Sequence, residues 1–586
     1  MSSFESVVSQ FQTQVAASPQ QIAVEAPQES LTYQELDERS NQLARYLQRC
    51  GVKSNAIIAL ASGRNPAMLV GIFGILKAGA AYLPLDLDYP PKRLEFMVRD
   101  AQPIHLLNAA ETALDLPIAC AATCLLTDWQ KISRESSDAL SEHSSPQDLA
   151  YVIYTSGSSG TPKGVLLERL GLADMAQAHV RAFSINQSSR VLQFSSLCFD
   201  ASVHEIFMTL CGGGTLCMAD ASQLTPDQGL VSLLESREIS NVLLPPSALA
   251  ILPHRPLPKL RTLISGGERC HRDLVQRWIS GREFFNAYGP TEGTVTAAIH
   301  RCEENEEFDP PIGKAREFVN LYVLDESGEI AADHEVGELY IGGTGVARGY
   351  LNQPELTASR FIADPFSAVA GRMYRTGDLV KRREDGVLDF VGRVDHQVKV
   401  RGFRVELGEI ESLLVQHPAI EQAAAKLCEF SKNDRRIVAY YRSANGLPVL
   451  SEELRSWLGT QLPAYALPSH FVALDELPLM ENGKVDYAAL PVVDLASPAN
   501  EHAGSNLPDL SNLTSLQRMI HEIWCSVVGL SPAELSVDDH FIEVGGDSLL
   551  SVQIALHVAA RGGTIRAQDI FDHPTIRELA EFIESR

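Results

Sequence analysis

The chain contains 586 residues, with a hydrophobic fraction of 45% and a formal net charge of −25. This length exceeds what one hydrophobic core organises, and at ~150 residues per domain it corresponds to about four units. A nucleic-acid-binding surface needs a basic footprint, so the acidic balance argues against a nucleic-acid partner and is typical of a large acidic cytoplasmic protein.

Targeting and redox features are absent from the sequence pattern. Residues 1–6 lack a basic segment followed by an apolar core, so we expect no signal peptide. Uncharged apolar stretches such as residues 67–76 are far shorter than a bilayer span, so we expect no membrane segment. Cys120 and Cys124 lack the second pair or nearby histidine that would complete a zinc site, so we expect reduced thiols in the cytoplasm.

From residue 4 to residue 389 the sequence alternates helical and strand patterns. Leu36, Leu43 and Leu47 mark one face of a helix, and residues 150–154 form a short apolar strand. This alternation favours α/β layers with mostly parallel strands. A second, smaller α+β unit follows from Asp395 to about Leu490, with a helix near residues 409–417 and a strand near residues 436–441.

Residues 491–512 are rich in Pro, Ala, Ser, Asn and acidic residues without periodicity, which predicts a flexible linker. Beyond it, Thr514 and Gln517 have the spacing of a capping box. Apolar residues at helical spacing then predict one helix from there, a second from Ser548 and a last one from about Thr575. Three helices in roughly 70 residues indicate a small bundle.

One loop carries the features of an anion-binding site. It reads Thr155-Ser-Gly-Ser-Ser-Gly-Thr-Pro-Lys-Gly164, with a predicted strand on either side. Closely spaced glycines let backbone amides point at a phosphate, and Lys163 adds a positive charge. The spacing is not that of a Walker A loop. The alternative is a mobile Ser/Gly surface loop, which the flanking strands disfavour.

A second feature is Ser548, which follows Gly545-Gly546-Asp547 at a predicted helix start. An isolated serine there usually acts only as an N-cap. On a separate helical unit behind a flexible linker, an exposed hydroxyl instead indicates a covalent carrier site.

These segments resemble the adenylate-forming enzymes, and more narrowly the adenylation domains of nonribosomal peptide synthetases fused to a peptidyl carrier domain. The resemblance covers nearly the whole chain, and its motifs occur in family order. Besides the phosphate loop and Gly545–Ser548 they are Leu31-Thr-Tyr-Gln-Glu-Leu36, Leu76-Lys-Ala-Gly-Ala-Ala-Tyr-Leu-Pro-Leu-Asp86, Phe199-Asp-Ala-Ser-Val-His-Glu-Ile-Phe207, Asn286-Ala-Tyr-Gly-Pro-Thr-Glu292, Gly337-Glu-Leu-Tyr-Ile-Gly-Gly343, Tyr374-Arg-Thr-Gly-Asp378, Gly392-Arg-Val-Asp-His-Gln-Val-Lys-Val-Arg-Gly402 and Asn482-Gly-Lys484.

The resemblance implies an adenylate-forming fold in four segments. We expect an α/β N-terminal core over residues 1–393 and a mobile α+β C-terminal subdomain over residues 394–490. The linker covers residues 491–512, and an all-α carrier domain covers residues 513–586.

It also implies a set of catalytic and nucleotide-binding residues. Lys484 would be the catalytic lysine, Glu292 the magnesium-side carboxylate and Asp378 the ligand of both ribose hydroxyls, roles that suit their charges. The remaining residues assigned to catalysis or nucleotide binding are Thr155, Ser156, Gly157, Thr161, Lys163, Gly267, Asn286, Ala287, Tyr288, Gly289, Thr291, Phe390 and Arg393. Phe390 stands where the family often has tyrosine.

Movement and loading are implied in the same way. Asp395 would be the hinge about which the C-terminal subdomain rotates between the two half-reactions. After rotation Lys484 would leave the site, and the loop around Arg401 and Gly402 would replace it. Ser548 would carry 4′-phosphopantetheine.

Asp200 would bind the substrate's α-ammonium, which makes the acid an α-amino acid. Phe199 precedes it, and the side-chain pocket would consist of Ala201, His204, Leu243, Ile264, Gly266, Ala287, Val295 and Thr296. No carboxylate or lysine lies in that set, so a charged side chain would remain unpaired. We expect an apolar side chain, leucine-like first and aromatic second, with one hydrogen bond available from His204.

The expected activity is the ATP- and Mg²⁺-dependent formation of an aminoacyl adenylate, followed by transfer to phosphopantetheine on Ser548. The expected partners are a phosphopantetheinyl transferase and a downstream condensation, tailoring or release enzyme; the need for a small helper protein stays open. The alternatives are an acyl- or aryl-CoA ligase, disfavoured by Asp200 and the carrier segment, and a non-catalytic carrier or scaffold protein, disfavoured by the intact Lys484, Asp378, Glu292 and Ser548.

Overall fold

The computed structural model describes residues 4–110, 120–140, 144–157, 160–368, 370–395, 397–400, 402–431, 434–480, 485–492, 513–528, 530, 532, 535–541, 544, 546, 548–563 and 565–585, with the description of Ser548 limited to its backbone. No helix within these residues is both long and apolar enough to cross a membrane. All ten cysteines lie in the described part of the chain and are free thiols.

The strands of the described residues are numbered in chain order. They are β1 Ile22–Glu25, β2 Ser30–Thr32, β3 Ile57–Ala61, β4 Ala81–Leu85, β5 His105–Asn108, β6 Ala121–Cys124, β7 Leu149–Thr155, β8 Lys163–Glu168, β9 Arg190–Leu192, β10 Thr215–Cys217, β11 Asn241–Leu244, β12 Thr262–Gly266, β13 Glu283–Tyr288, β14 Ala298–Arg301, β15 Lys314–Ala315, β16 Val319–Leu324, β17 Val336–Gly343, β18 Gly349–Tyr350, β19 Phe361–Ala363, β20 Arg372–Arg382, β21 Leu388–Arg393, β22 Gln397–Val400, β23 Phe403–Glu406, β24 Ile420–Ser431, β25 Asp434–Ser443 and β26 His470–Ala473.

The α-helices are numbered in the same way. They are α1 Val7–Ala17, α2 Tyr33–Arg49, α3 Pro66–Lys77, α4 Pro91–Ala101, α5 Trp129–Ile132, α6 Arg169–Ala182, α7 Asp200–Cys211, α8 Gln228–Ser236, α9 Pro246–Ile251, α10 Arg272–Trp278, α11 Pro354–Arg360, α12 Leu407–Val415, α13 Ser451–Gly459, α14 Ser515–Val528, α15 Ser548–Ala560, α16 Ala567–Asp572 and α17 Ile576–Glu584.

Two large sheets form the N-terminal core. One has the order β15-β14-β13-β12-β11-β9-β10-β1-β2, and its strands from β13 to β1 are parallel. The other has the order β18-β8-β7-β4-β3-β5-β6 and is parallel from β7 to β6. The predicted α/β layers are therefore present. Helices α2, α3, α6 and α7 contribute buried faces to the main core, which includes Leu36, Phe73, Leu172 and Phe207.

A third sheet was not anticipated by the sequence pattern. Strands β16, β17, β20, β19 and β21 pair only antiparallel, with β21 on β20. The last segment of the N-terminal core, residues 388–393, is strand β21 of this sheet. It brings Arg393 opposite Asp378 in the register of β20 and β21.

The C-terminal unit begins with a hairpin and continues as an α+β structure. Strands β22 and β23 pair antiparallel, from Gln397 with Glu406 to Val400 with Phe403. Helices α12 and α13 then pack with the sheet β24-β25-β26 around a separate core that includes Ile410 and Leu454. The helix and strand that the sequence predicted here correspond to α12 and β25.

The carrier segment contains four helices in the described residues, not three. The prediction missed α16, whose six residues are too few to show a helical period. The capping box at the start of α14 is present, because Gln517 N donates to Thr514 Oγ1 at 3.1 Å and Thr514 N donates to Gln517 Oε1 at 3.2 Å. α15 begins at Ser548.

Lys77 anchors helix α3 to α2 from inside the N-terminal core. Its Nζ donates to Asp37 Oδ1 at 2.6 Å, to Ser40 Oγ at 2.8 Å and to Asn41 Oδ1 at 2.8 Å. Burial lowers the pKa of Lys77 to about 8, and Asp37 counteracts part of that shift. A buried charge is tolerated only with such partners.

We predict that Lys77→Ala lowers the free energy of unfolding of the N-terminal core by about 3–5 kcal/mol, because Asp37 is left with an uncompensated charge. The shift of its calorimetric unfolding transition measures the effect. The control is Lys53→Ala at an exposed position. An equal transition temperature in both variants would contradict the prediction.

Candidate functional site

The phosphate loop is the turn of a β-hairpin. Thr155 ends β7 and pairs with Lys163, which begins β8. At Gly157 a Cβ atom would lie 1.9 Å from the carbonyl oxygen of Thr161, so only glycine fits. The loop that the sequence singled out is thus held by strands on both sides, as predicted.

Glu292 lies at the centre of a charge cluster beside this loop. Its carboxylate is fully buried in the short helical turn Thr291–Gly293. Tyr350 OH donates to Oε1 at 2.7 Å, and Arg404 Nη1 donates to Oε2 at 2.6 Å. Burial alone would raise the pKa of Glu292, but the Arg404 and Lys163 cations hold it well below its usual range.

Lys163 completes the cluster. Its Nζ lies 3.7 Å from Glu292 Oε1 and 3.9 Å from Glu406 Oε1. Burial, assisted by Arg404, lowers the pKa of Lys163 to about 8. Both Glu292 oxygens accept hydrogen bonds from protein donors, and Arg404 and Lys163 balance the negative charge of the carboxylate in this arrangement.

Asp200 is the first residue of α7 and faces the same cleft. Its Oδ2 accepts a hydrogen bond from Thr291 Oγ1 at 2.7 Å. Burial raises the pKa of Asp200, while Thr291 and the half-buried Lys399 oppose that change. A carboxylate in this setting attracts a cationic ligand group.

Several of the predicted pocket residues lie on neighbouring strands and in one hydrophobic core. Leu243 pairs with Ile264 across β11 and β12, and Gly266 pairs with Ala287 across β12 and β13. Neighbouring parallel strands therefore present these residues together. Ala201, Leu243, Ile264, Ala287 and Val295 belong to or pack against the main hydrophobic core. Thr296 is buried next to Val295.

His204 follows Asp200 by one helical turn, and its partner was not anticipated. His204 Nδ1 and His179 Nδ1 lie 2.8 Å apart, and both rings are fully buried. Burial lowers the pKa of His204 to about 3 and that of His179 well below its usual range. The two imidazoles are therefore neutral, and one ring donates to the other.

Asp378 lies on β20, opposite Arg393 of β21. It accepts hydrogen bonds from Tyr288 OH and from the Arg393 guanidinium, and it is 4% exposed. Arg393 also binds Asp395, with Nε–Oδ1 at 2.7 Å and Nη2–Oδ2 at 2.9 Å. The predicted ribose ligand and the predicted hinge are thus linked by one arginine.

The other predicted nucleotide residues border this region. Asn286 Nδ2 donates to Pro311 O at 2.8 Å, and the Phe390 side chain is 40% exposed. Gly267 has a positive φ of 85°, and a Cβ there would lie 3.3 Å from Gly402 Cα. Gly402, predicted to enter the site after rotation, therefore lies against it in this structure.

Three predicted residues are described only in part or not at all. Lys484 and Arg401 lie outside the described residues. Ser548 is described by its backbone position at the start of α15. Close before it, Gly546 packs against Phe541, where a Cβ atom would lie 2.2 Å from the carbonyl oxygen.

Sequence reasoning missed Arg404, Tyr350, Lys399 and His179. Arg404 reaches Glu292 across 112 positions of sequence, and Tyr350 reaches it across 58. No local spacing links such residues. The position of Arg404 two residues beyond the Gly392–Gly402 motif was the only available signal.

Three family models match the chain. The model described as AMP-binding enzyme matches residues 11–351, and that for the AMP-binding enzyme C-terminal domain matches residues 409–484. The model described as phosphopantetheine attachment site matches residues 518–583.

Among curated proteins, the chain is 39% identical over 578 residues to bacitracin synthase 3 of Bacillus licheniformis, covering 98% of this chain and 9% of that protein. It is 36% identical over 579 residues to tyrocidine synthase 1 of Brevibacillus parabrevis, covering 98% of this chain and 52% of that protein. The chain thus spans about a tenth to a half of the length of these two relatives.

Among solved structures, the chain resembles a holo NRPS protein containing adenylation and PCP domains, bound to a vinylsulfonamide inhibitor. The TM-score is 0.81 at 26% identity, covering 100% of this chain and 97% of that chain. It also resembles an artificially fused adenylation–PCP di-domain from Klebsiella oxytoca, with a TM-score of 0.71 at 26% identity and coverage of 80% and 93%.

Gly289 lies against the backbone of Val295 and Thr296, two of the predicted pocket residues. A Cβ there would lie 2.3 Å from Val295 O and 2.7 Å from Thr296 Cα. We predict that Gly289→Ala displaces this backbone and weakens AMP binding by about tenfold or more, measured by isothermal titration calorimetry. Gly63→Ala is the control, because a Cβ there has no neighbour within 4 Å. Unchanged affinity in Gly289→Ala would refute the prediction.

Proposed function

The chain belongs to the AMP-binding enzyme family, and from that premise we propose that it activates an apolar α-amino acid with ATP and loads it onto its own carrier domain. Its architecture is that of a nonribosomal peptide synthetase adenylation domain fused to a peptidyl carrier domain. ATP and 4′-phosphopantetheine are the cofactors of such a chain, with Mg²⁺ the usual companion of ATP.

One observation supports the proposal: the phosphate loop, the cations around Glu292 and the Asp200 carboxylate lie close together, since Asp200 bonds to Thr291, the neighbour of Glu292. The loop supplies Ser156 and Lys163, and Asp200 lies beside an apolar pocket. A zwitterionic ligand with an apolar side chain matches this distribution, since its ammonium pairs with Asp200 and its carboxylate faces the cationic side.

The pocket supports an uncharged side chain. Leu243, Ile264 and Val295 provide apolar walls, and the His179–His204 pair is neutral. Ala201, Gly266 and Ala287 are small and leave room. A charged side chain would lose its hydration without gaining a partner, so we expect leucine-like side chains first and aromatic ones second.

In the first half-reaction an oxygen of the amino-acid carboxylate forms a bond to the α-phosphorus of ATP, and the bond to the pyrophosphate oxygen breaks. The products are the aminoacyl adenylate and pyrophosphate. Lys163 and the loop amides would stabilise the phosphate charges, and Lys484 would offset the repulsion between the two reacting anions. Asp378 would hold the ribose hydroxyls once they replace its present donors.

In the second half-reaction the bond between the acyl carbon and the bridging oxygen of the adenylate would break. Ser548 would hold 4′-phosphopantetheine, whose thiol would provide the acceptor for the aminoacyl group. The chain's own contribution is to orient the adenylate through Asp200 and to present Ser548 at the start of α15. A bond between the acyl carbon and sulfur would form, AMP would depart with the bridging oxygen, and the thiol proton would be released to solvent.

A carrier domain implies a phosphopantetheinyl transferase and a downstream synthetase module as partners. A condensation, tailoring or release enzyme would consume the thioester. An acyl- or aryl-CoA ligase remains the alternative, and Asp200 discriminates between the two because only an amino acid brings it an ammonium.

We predict ATP–pyrophosphate exchange with one uncharged, apolar amino acid from a panel of twenty. With the same amino acid, the intact mass of the holo protein should rise by one aminoacyl group, and Ser548→Ala should abolish that gain. Exchange only with non-amino acids would overturn the amino-acid assignment, and exchange with no acid would overturn the activity.

Asp200 offers a sharper test of the ammonium site. We predict that Asp200→Asn raises KM for the best amino acid by about a hundredfold, because the buried ammonium loses a charged partner. The matched comparison uses its des-amino analogue, whose exchange should change little between wild type and variant. Equal losses for both acids would assign Asp200 a purely structural role.

A further inference from the structure

The end of strand β14 presents a histidine and a cysteine on one face. His300 lies opposite Asn286 in the antiparallel pairing of β13 and β14. The ladder continues one residue beyond β14, because Cys302 N donates to Phe284 O at 2.9 Å. Side chains two positions apart on an extended strand point to the same side. The imidazole of His300 and the thiol of Cys302 are therefore neighbours.

Glu306 approaches this pair from the loop that follows. Its Oε1 lies 2.6 Å from His300 Nε2 and accepts a hydrogen bond from Glu303 N at 3.1 Å. The three ligand atoms of His300, Cys302 and Glu306 all lie within 4.8 Å of one another. No other trio of histidine, cysteine or acidic side chains within the described residues comes together as closely. The segment His-x-Cys-x-x-x-Glu thus folds into one compact donor set.

These side chains are largely shielded from water. His300 and Glu306 are 20% and 17% exposed, and Cys302 is 6% exposed. An acidic side chain with so little exposure needs a cationic partner. Among the described residues, no lysine or arginine lies within 4 Å of the Glu306 carboxylate. Arg383 binds Asp389 instead, with contacts at 2.6 and 2.7 Å. The trio can therefore accept further positive charge.

The Cys302 sulfur already has a backbone donor. Burial and the nearby Glu306 raise the pKa of its thiol, while the N–H of Asn286 bonds to the sulfur and opposes that rise. Hydrogen bonds of this kind orient and tune metal ligands. A bound metal ion removes the proton from a coordinating thiol. The donor is thus in place for the negative charge that the sulfur would carry as a ligand.

The loop that carries Glu306 adds negative charge around the trio. Five of the seven residues from 303 to 309 are acidic. Such a field raises the local concentration of cations. The field attracts every cation alike, so the choice among them depends on the ligand atoms.

Those atoms select the kind of ion. An imidazole nitrogen, a thiolate sulfur and a carboxylate oxygen suit Zn²⁺, whereas Mg²⁺ and Ca²⁺ prefer oxygen alone. A thiolate and a carboxylate together also balance the charge of a dication. We propose that His300, Cys302 and Glu306 bind one Zn²⁺ through Nε2, Sγ and a carboxylate oxygen, with the fourth position open to water. The site is separate from the Mg²⁺ that accompanies ATP and does not rest on the proposed function.

Binding requires a small rearrangement of the trio. In a tetrahedron with Zn–ligand bonds of ~2.0–2.3 Å, His300 Nε2 and the Glu306 oxygen would stand about 3.3 Å apart, compared with 2.6 Å here. His300 would carry its proton on Nδ1, so that Nε2 is free to bind. The thiol proton of Cys302 would pass to solvent.

A cobalt titration tests the site directly, because a thiolate bound to Co²⁺ gives a charge-transfer band. The full chain, treated with a chelator and then freed of it, is titrated with Co²⁺ and afterwards with Zn²⁺. We expect one equivalent of Co²⁺ to bind with this band, and the band to disappear as Zn²⁺ replaces cobalt. A titration that gives no thiolate band would overturn the proposal.

Three substitutions each remove one ligand. Cys302→Ser should abolish the band, and His300→Gln and Glu306→Gln should each weaken Zn²⁺ binding by about tenfold or more, measured by competition with a chromophoric chelator. Cys124→Ser is the control for sulfur, and Glu304→Gln is the matched control for charge, because Glu304 is exposed on the same loop. Both controls should bind as wild type does. A band that survives in Cys302→Ser, or that disappears in Cys124→Ser, would place the metal elsewhere.

Thermal unfolding provides a readout that tolerates a change in baseline stability. Zn²⁺ at about ten times its Kd should raise the unfolding transition of the wild-type N-terminal core, because it binds the folded state. The rise should fall to less than half in Glu306→Gln and persist in Glu304→Gln. An equal rise in these two variants would contradict the proposal. Neither ATP nor an amino acid enters these measurements, so a failure of the proposed activity would leave their outcome unaffected.

Discussion

A carboxylate removed from water must keep a positive charge beside it, and at Glu292 this requirement joins distant parts of the chain. Lys163 comes from the β7–β8 hairpin, Tyr350 from the short strand β18, and Arg404 from the C-terminal unit. The antiparallel sheet adds Asp378, which Arg393 ties to Asp395. Charge neutralisation in one cleft thus sets where the loop, the core sheets and the smaller unit meet.

The rest of the cleft separates charge from apolar surface along one helix. Asp200 begins α7 on the polar side, and His204 lies one turn further, among aromatic and aliphatic side chains. The strand register brings Leu243, Ile264, Gly266 and Ala287 to the apolar side. This separation fits the proposed ligand, which is charged at one end and apolar at the other.

The resemblance to adenylation and carrier domains and the fold class predicted from the sequence are confirmed. Both could be predicted because the order of motifs, and hydrophobic residues that repeat every 3.6 or every two positions, are properties of the local sequence. The prediction of three carrier helices was wrong, since α16 is too short for a period to appear. The antiparallel third sheet and the contacts of Arg404 were not predicted, because they depend on how segments distant in the sequence come together in the fold. The roles assigned to Asp200, Asp378, Glu292, Lys484 and Ser548 stay predictions.

The carrier helices pack around a core of their own. Its buried hydrophobic residues, which include Trp524, Phe541 and Ile554, all come from residues 520–580, with flanking contacts from residues 513–583. A unit whose interior, as far as the structure describes it, is supplied by its own residues should keep its shape whichever catalytic partner it is joined to. Such a segment is suited to fusion with a different enzyme. Its surface would have to be adapted to the new partner, but its hydrophobic core would not have to be redesigned.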